Sequence, residues 1–128
     1  MNWHVGVSSE DHPYQLFARS SDFNSVSPSR IFTFIDEHED TIQCSAYYVG
    51  MGNSLDGGQS SLWNFSIPSS RHGNAGSLAF ADGHVEMRRW VDSKTALPVK
   101  RDYIQWIGDV TLPNRDAAWL AERATVIR

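Results

Sequence analysis

The chain holds one cysteine, no long apolar run and no surplus of positive charge, and each shortage narrows what it can be. With Cys44 alone, no intrachain disulfide forms, and a single thiol says little about compartment. Eleven Lys and Arg against fifteen Asp and Glu leave a formal net charge of −4. There is therefore no basic excess for nucleic acid and no cationic amphipathic run for a membrane surface. No stretch approaches the ~18 consecutive apolar residues of a spanning helix, and Met1-Asn2-Trp3-His4 does not read as a secretion signal. Aromatic residues are plentiful: five Trp, four Tyr and six Phe exceed what one small core needs. The length of 128 residues is read as one domain, 1–128, able to bury a core without staples.

The strongest local signal is Arg71-His72-Gly73-Asn74-Ala75-Gly76-Ser77-Leu78-Ala79-Phe80-Ala81-Asp82-Gly83-His84-Val85-Glu86. Alternating apolar positions flank an Asp-Gly pair, the pattern of a β-hairpin. With Asp82 and Gly83 at the centre of a two-residue turn, both need positive φ. Ala81 then faces His84, Phe80 faces Val85 and Leu78 faces Met87. One face carries Leu78, Phe80, Val85 and Met87; the other carries Ser77, Ala79, Ala81, His84, Glu86 and Arg88. Trp90 falls on the second face and breaks the pattern. The small residues there leave room for a covering segment, which residues 68–72 could supply.

Elsewhere, Ile31-Phe32-Thr33-Phe34-Ile35 reads as a short buried strand, β-branched and aromatic. Residues 36–41 form an acidic connection, 42–49 are strand-like or irregular, and 50–61 are a Gly- and Ser-rich loop. A short helix or turn is expected around residues 14–17. Near the C-terminus, Asn114 is a good N-cap and Asp116 suits the first turn of a helix. Ala117, Leu120, Ala121 and Ala124 recur at helical spacing, and Arg123 lies near the end. This predicts a helix from about 115 to 124. The fold class is α+β: a small antiparallel sheet with a C-terminal helix.

The His, nine residues, Asp-Gly element, His72 to Asp82-Gly83 and on through His84-Val85-Glu86 to Trp90, resembles the prepilin-type H-x9-DG family of pseudopilin-like proteins from Planctomycetes, Verrucomicrobia and related bacteria. Met1-Asn2, the strand ending in Asp36-Glu37, and Asn114-Arg115-Asp116-Ala117-Ala118-Trp119-Leu120 also look like that family. The resemblance covers most of the chain, and its specific part is residues 72–86. It implies a pilin-like globular domain from which the N-terminal pilin helix is absent, together with a leader and a prepilin-peptidase site ahead of that helix. The chain is then the soluble part of a longer product, or a member that departs from the pattern and for which filament assembly does not follow.

His72, Asp82 and His84 are candidate ligands for zinc or a similar divalent ion, because two imidazoles and a carboxylate suit it. The competing reading makes His72, Asp82 and Gly83 a structural motif, with turn geometry explaining Asp82-Gly83 and His72 fixing the loop at 68–76. Asp36, Glu37, Glu39 and Asp40 offer hard oxygen ligands for calcium, against a solvated acidic turn; Asn53 and Asp56 form a second, weaker calcium cradle. Tyr47, Tyr48 and Trp63 are a candidate binding surface. The leading expectation is a non-enzymatic, extracytoplasmic pseudopilin-like structural subunit of a type II secretion or type IV pilus-like system. Its partners would be other pseudopilin-like subunits or another copy, without nucleic acid, and it would meet the membrane only through an N-terminal helix not present here. The alternatives are an extracellular module for polysaccharide and, more distantly, a metal-dependent hydrolase.

Overall fold

The computed structural model describes residues 1–6, 14–49, 66–102 and 114–127. Three strands, β1 (Phe32–Ile35), β2 (Ala75–Phe80) and β3 (Val85–Arg89), form an antiparallel sheet in the order β1-β2-β3. One helix, α1 (Arg115–Ala124), packs on it, giving a small α+β fold. Short 3₁₀ turns at Ser20–Ser25, Pro28–Arg30 and Glu39–Thr41 connect these elements. Residues 14–17, expected as helix or turn, are instead extended: Phe17 bridges Val5, and Tyr14 bridges Ile127. Among the described residues no helix is long and apolar enough to cross a membrane.

Helix α1 starts and stops where its local signals place it. The Asn114 side chain accepts from the backbone N–H groups of Asp116 and Ala117, which satisfies two donors that a helix start leaves open. Asp116 does more than complement the helix dipole. It is fully buried, and its carboxylate accepts from the backbone N–H groups of Val91 at 3.0 Å and Asp92 at 2.8 Å. The start of the helix is thereby fastened to the chain leaving β3. Ala117, Leu120 and Ala124 enter one core with Phe32, Tyr47, Val49, Leu78, Phe80 and Trp90.

The hairpin forms, but its register is one residue away from the expected one. Ala79 pairs with Val85, Leu78 with Glu86, Ser77 with Met87 and Gly76 with Arg88. The loop has three residues, not two. Gly83 N–H donates to Phe80 O at 3.0 Å, Phe80 N–H donates to His84 O at 2.9 Å, and only Gly83 of the Asp-Gly pair has positive φ (93°). This is a tight turn followed by a left-handed glycine bulge, the usual form of a three-residue hairpin loop. The one-residue slip exchanges the faces of β3 relative to β2. Leu78 and Phe80 stay inside, but Val85 is 67% exposed and Met87 62% exposed on the opposite side. Trp90 now lies on the core face and is buried, so its anomaly disappears.

Trp90 explains Gly76. A Cβ on Gly76 would lie 2.8 Å from the Ser69 carbonyl oxygen and 2.9 Å from Trp90 Cζ2. The Trp90 indole N–H donates to that same Ser69 oxygen at 2.7 Å. Residue 69 therefore covers this end of the sheet, but on the Leu78 and Phe80 face and not, as expected, on the face of Ser77, Ala79 and Ala81, because the register slip moves Trp90 to the core side. The adjoining chain is held beside β1: Ser69 N–H donates to Asp36 O, and His38 N–H to Ile67 O, both at 2.8 Å.

At the other side of β1 the N-terminus closes the core. Asn2 is fully buried. Its side-chain amide donates to Phe32 O at 2.8 Å and Ala124 O at 2.9 Å, and its oxygen accepts from His4 N–H at 3.1 Å. One residue thus ties the chain start, β1 and the end of α1 together. The close approach at Gly76 gives the clearest stability test: Gly76→Ala should lower unfolding free energy by about 1–3 kcal/mol, the cost of overpacking a site that cannot yield, measured by denaturant unfolding against the parent chain.

Candidate functional site

The residues singled out from the sequence divide into those the fold assembles and those it separates. At the hairpin tip, Asp82 Oδ1 accepts from His84 N–H at 3.2 Å and also bonds His84 Nδ1. On the other side of the ring, His84 Nε2 reaches Glu86 Oε1 at 3.2 Å. The imidazole lies flat on Phe80, with centroids 4.3 Å apart and planes 6° apart. This stacking follows from the register, which places Phe80 opposite His84. In the imidazolium form both ring nitrogens donate to carboxylates. The bond to Asp82, and then that to Glu86, raises the His84 pKa; the same imidazole holds Asp82 below its usual value.

His72 is not part of this group. It precedes β2 at the end away from the tip, so the length of β2, on the order of 17 Å at strand rise, lies between them. Its backbone N–H donates to Ala75 O at 3.4 Å and its side chain is exposed. The two successive positive φ values expected at Asp82-Gly83 occur instead here, at Gly73 (65°) and Asn74 (62°). The metal trio of His72, Asp82 and His84 is therefore corrected: among the described residues no group of three His, Cys, Asp or Glu side chains comes together to hold a metal ion. The reason is register and strand length, which leave two ligands at one end of the hairpin and the third at the other.

The acidic segment is also rebuilt. It is neither a calcium cradle nor a solvated turn. Asp36 Oδ2 accepts from Ser77 Oγ at 2.7 Å. Buried Asp40 accepts from Lys100 N–H at 2.7 Å. Exposed Glu39 pairs with Arg71 at 3.0 Å. Between them His38 is buried; its Nδ1 accepts from Asp40 N–H and its Nε2 meets Leu97 O at 3.1 Å, so the proton sits on Nε2. Glu37 is half-buried, and loss of solvation pushes its pKa up to about 7 against hydrogen bonds from Ser66 and Thr41. The Tyr47 hydroxyl is buried without a hydrogen-bond partner among the described residues. Burial, and then the Glu37 charge, raises its pKa.

Tyr47 is therefore not a binding surface: it is 1% exposed and packs edge-on against Phe32 inside the core. Its neighbour Tyr48 turns the other way, as alternation along an extended chain requires. Trp3 does the same beside buried Asn2. The two rings meet at 5.7 Å, edge to face. They line an open cavity of about 230 Å³, mainly apolar, together with Gln43, Cys44, Ala46 and Ser66. The candidate surface read from the sequence held Tyr48 but not Trp3, whose partner is brought in by the pairing of Asn2 with Tyr47. Trp63, Asn53 and Asp56 lie outside the described residues.

The third feature is the outer face of the sheet. Phe34 (58% exposed), Val85 and Met87 stand on it around Ala79. Such a group of large apolar side chains on one sheet face is the kind of feature that marks an interaction surface. Comparison with known protein families, curated proteins and solved structures finds no match to this chain.

Two pH dependences follow. Glu37 has a raised folded pKa, so its stabilising contribution is complete below the unfolded value and is lost as pH rises towards about 7. Glu37→Gln should therefore gain stability relative to the parent between about pH 5 and pH 8, read as a widening difference in melting temperature. His84 acts through an exposed staple. Its raised pKa gives a contribution present below its unfolded value and lost as pH climbs through the folded one; Asp82, lowered, loses its share only as pH falls through its own folded value. His84→Gln should thus cost most in the mildly acidic range and least above neutrality, and added salt should shrink the difference. A pH-independent difference in urea midpoint would remove this account.

Proposed function

We propose that the chain is a non-enzymatic, pseudopilin-like structural subunit, the globular part of an extracytoplasmic assembly of the type II secretion or type IV pilus-like kind. The observation that carries this reading is the outer face of the sheet. The inner face is closed by α1 and the aromatic core, while the outer one presents Phe34, Val85 and Met87 to solvent. A two-layer domain covers one sheet face with a helix and leaves the other for water or a partner. Large apolar side chains there fit a partner better than water.

The His72 to Asp82-Gly83 stretch supports the same reading by acting as architecture. Gly73 and Asn74 turn the chain into β2, Gly76 admits Trp90, and Gly83 sets the bulge. These are requirements of backbone and packing, and none needs a substrate. The hydrolase alternative is weakened by the separation of His72 from Asp82 and His84. The polysaccharide alternative is weakened because Tyr47, one of its three candidate residues, lies in the core and not on the surface.

The test is the genomic reading frame upstream of Met1. It should encode a short basic leader and an apolar helix of ~20 residues, and expression of that full frame should place the product in the membrane fraction until the leader is processed. An in-frame stop codon directly upstream would end the assembly-subunit reading.

A further inference from the structure

One half-buried cation has no counter-charge on the chain. Arg88 lies in β3 opposite Gly76, and its guanidinium rests over the Trp119 ring of α1, 4.7 Å from the centroid. Its Nε is buried without a hydrogen-bond partner. Arg123, one helical turn after Trp119, holds its own guanidinium 4.0 Å from that ring. It also donates to Trp119 O at 3.1 Å and pairs with exposed Glu122 at 3.3 Å. Whichever faces of the ring they occupy, the two cations stand within about 9 Å of each other. Arg115 opens α1 one turn before Trp119, on the same helix stripe, and is exposed. The neighbouring carboxylates are committed: Glu86 to His84 at 3.2 Å, and Asp116 to the amides of Val91 and Asp92. Among the described residues no ion pair takes up Arg88 or Arg115. In a chain of net charge −4 this seam carries a local surplus of cation.

We propose that the seam between β3 and α1 around Trp119 binds an oxyanion of the phosphate type, held between the guanidiniums of Arg88 and Arg123 with Arg115 at its rim. A guanidinium donor buried without an acceptor is costly, and the face of the ring offsets only part of that cost. The guanidinium is also the group suited to such an anion, since its planar fork donates two parallel N–H bonds to a pair of oxygens. Two forks sharing one phosphate at N···O distances of about 2.8 Å place their Cζ atoms roughly 7–8 Å apart, inside the limit that the ring sets. Trp119 holds both forks in place, so their rotamer freedom is lost in folding and not in binding. Three arginines against the one carboxylate of Glu122 leave two positive charges. That balance suits a dianion better than a single carboxylate. The seam is distinct from the outer face of the sheet, and the proposal does not rest on the assembly-subunit reading.

Inorganic phosphate is the first probe, added at about pH 7.5, where a phosphate is mostly dianionic, with ionic strength held constant by sodium chloride. It should shift the Arg88 Nε–H and Trp119 indole N–H signals in nitrogen-correlated proton NMR along a saturating curve, with a Kd of about 1 mM or lower. Arg88→Gln and Arg123→Gln should each weaken binding at least about 10-fold, the weight of one charge-assisted hydrogen bond. Arg88→Lys should recover little, because an ammonium keeps the charge without the fork. Arg115→Gln changes an exposed position and leaves the fold alone, so it tests the site even where loss of an arginine from the ring loosens α1; it should weaken binding about 3-fold. In a second arm, the chain is co-sedimented with phosphatidylcholine vesicles with and without phosphatidic acid. Capture by phosphatidic acid that Arg88→Gln abolishes assigns the phosphate to a lipid headgroup, and NMR shifts without capture assign it to a soluble phosphate. Shifts that chloride reproduces equally, binding that Arg88→Gln and Arg123→Gln leave unchanged, or no response in either arm would each overturn the site. None of these results bears on the reading frame upstream of Met1, so the two proposals fail separately.

Discussion

The left-handed glycine at position 83 decides how the rest of the sheet is dressed. A hairpin closed by two residues and one closed by three differ by a single step in register, and a single step moves every side chain of one strand to the opposite face. With the bulge at Gly83, His84 comes opposite Phe80, Glu86 opposite Leu78 and Arg88 opposite Gly76. The core face of β3 is then polar along its length until Trp90, which supplies at the end of the strand the apolar mass that Val85 and Met87 would have supplied within it. Gly76 has to be glycine because that mass arrives above it. The stacking of His84 on Phe80, and the solvent exposure of Val85 and Met87, are further consequences of the same step.

Buried polar side chains do the long-range joining. Asn2 binds carbonyls of β1 and of the last turn of α1, Asp116 binds two amides leaving β3, and Asn114 shares a hydrogen bond with buried Thr95 while capping its own helix. Each of these groups would be costly to bury unpaired, and each has partners distant in sequence. Such ties specify one arrangement of segments where apolar packing alone would tolerate several.

What could be read from the sequence follows the range of the interactions. Helix α1 was legible to the residue because an N-cap, a first-turn acid and helical apolar spacing are all local. The strand at Phe32–Ile35 was legible for the same reason, and so was the existence of the hairpin. Its register was not. Asp-Gly fits both a two-residue turn and a three-residue loop, and the choice is made by contacts with other segments, such as Ala81 N–H donating to Ile31 O. One local clue did favour the longer loop: Trp90 was anomalous in the shorter one. Asn2 and Glu37 had no such clue, since their burial depends on segments that approach from elsewhere in the chain. The candidate ligands failed as a trio because proximity in sequence along a strand means separation in space.

The two surfaces of β3 show where contacts with other molecules are discouraged and where they are not. As the edge strand of the sheet, it offers backbone groups that would template pairing with another chain. Its core-side row of His84, Glu86 and Arg88 is charged or polar; charges along an edge oppose indiscriminate strand addition. Arg88 is further held over the Trp119 ring at 4.7 Å, where Arg123 also sits at 4.0 Å, so it is anchored sideways on α1. The outer row carries its charge at the end of the strand, in exposed Arg89. Val85 and Met87 face outward beside Phe34, and at their margin Ser77 bonds Asp36 twice, its hydroxyl donating to the carboxylate and its backbone oxygen accepting from the Asp36 N–H. Charge thus lines the hydrogen-bonding edge while the centre of the outer face is apolar, a division that would favour side-chain packing over strand addition wherever this sheet meets another molecule.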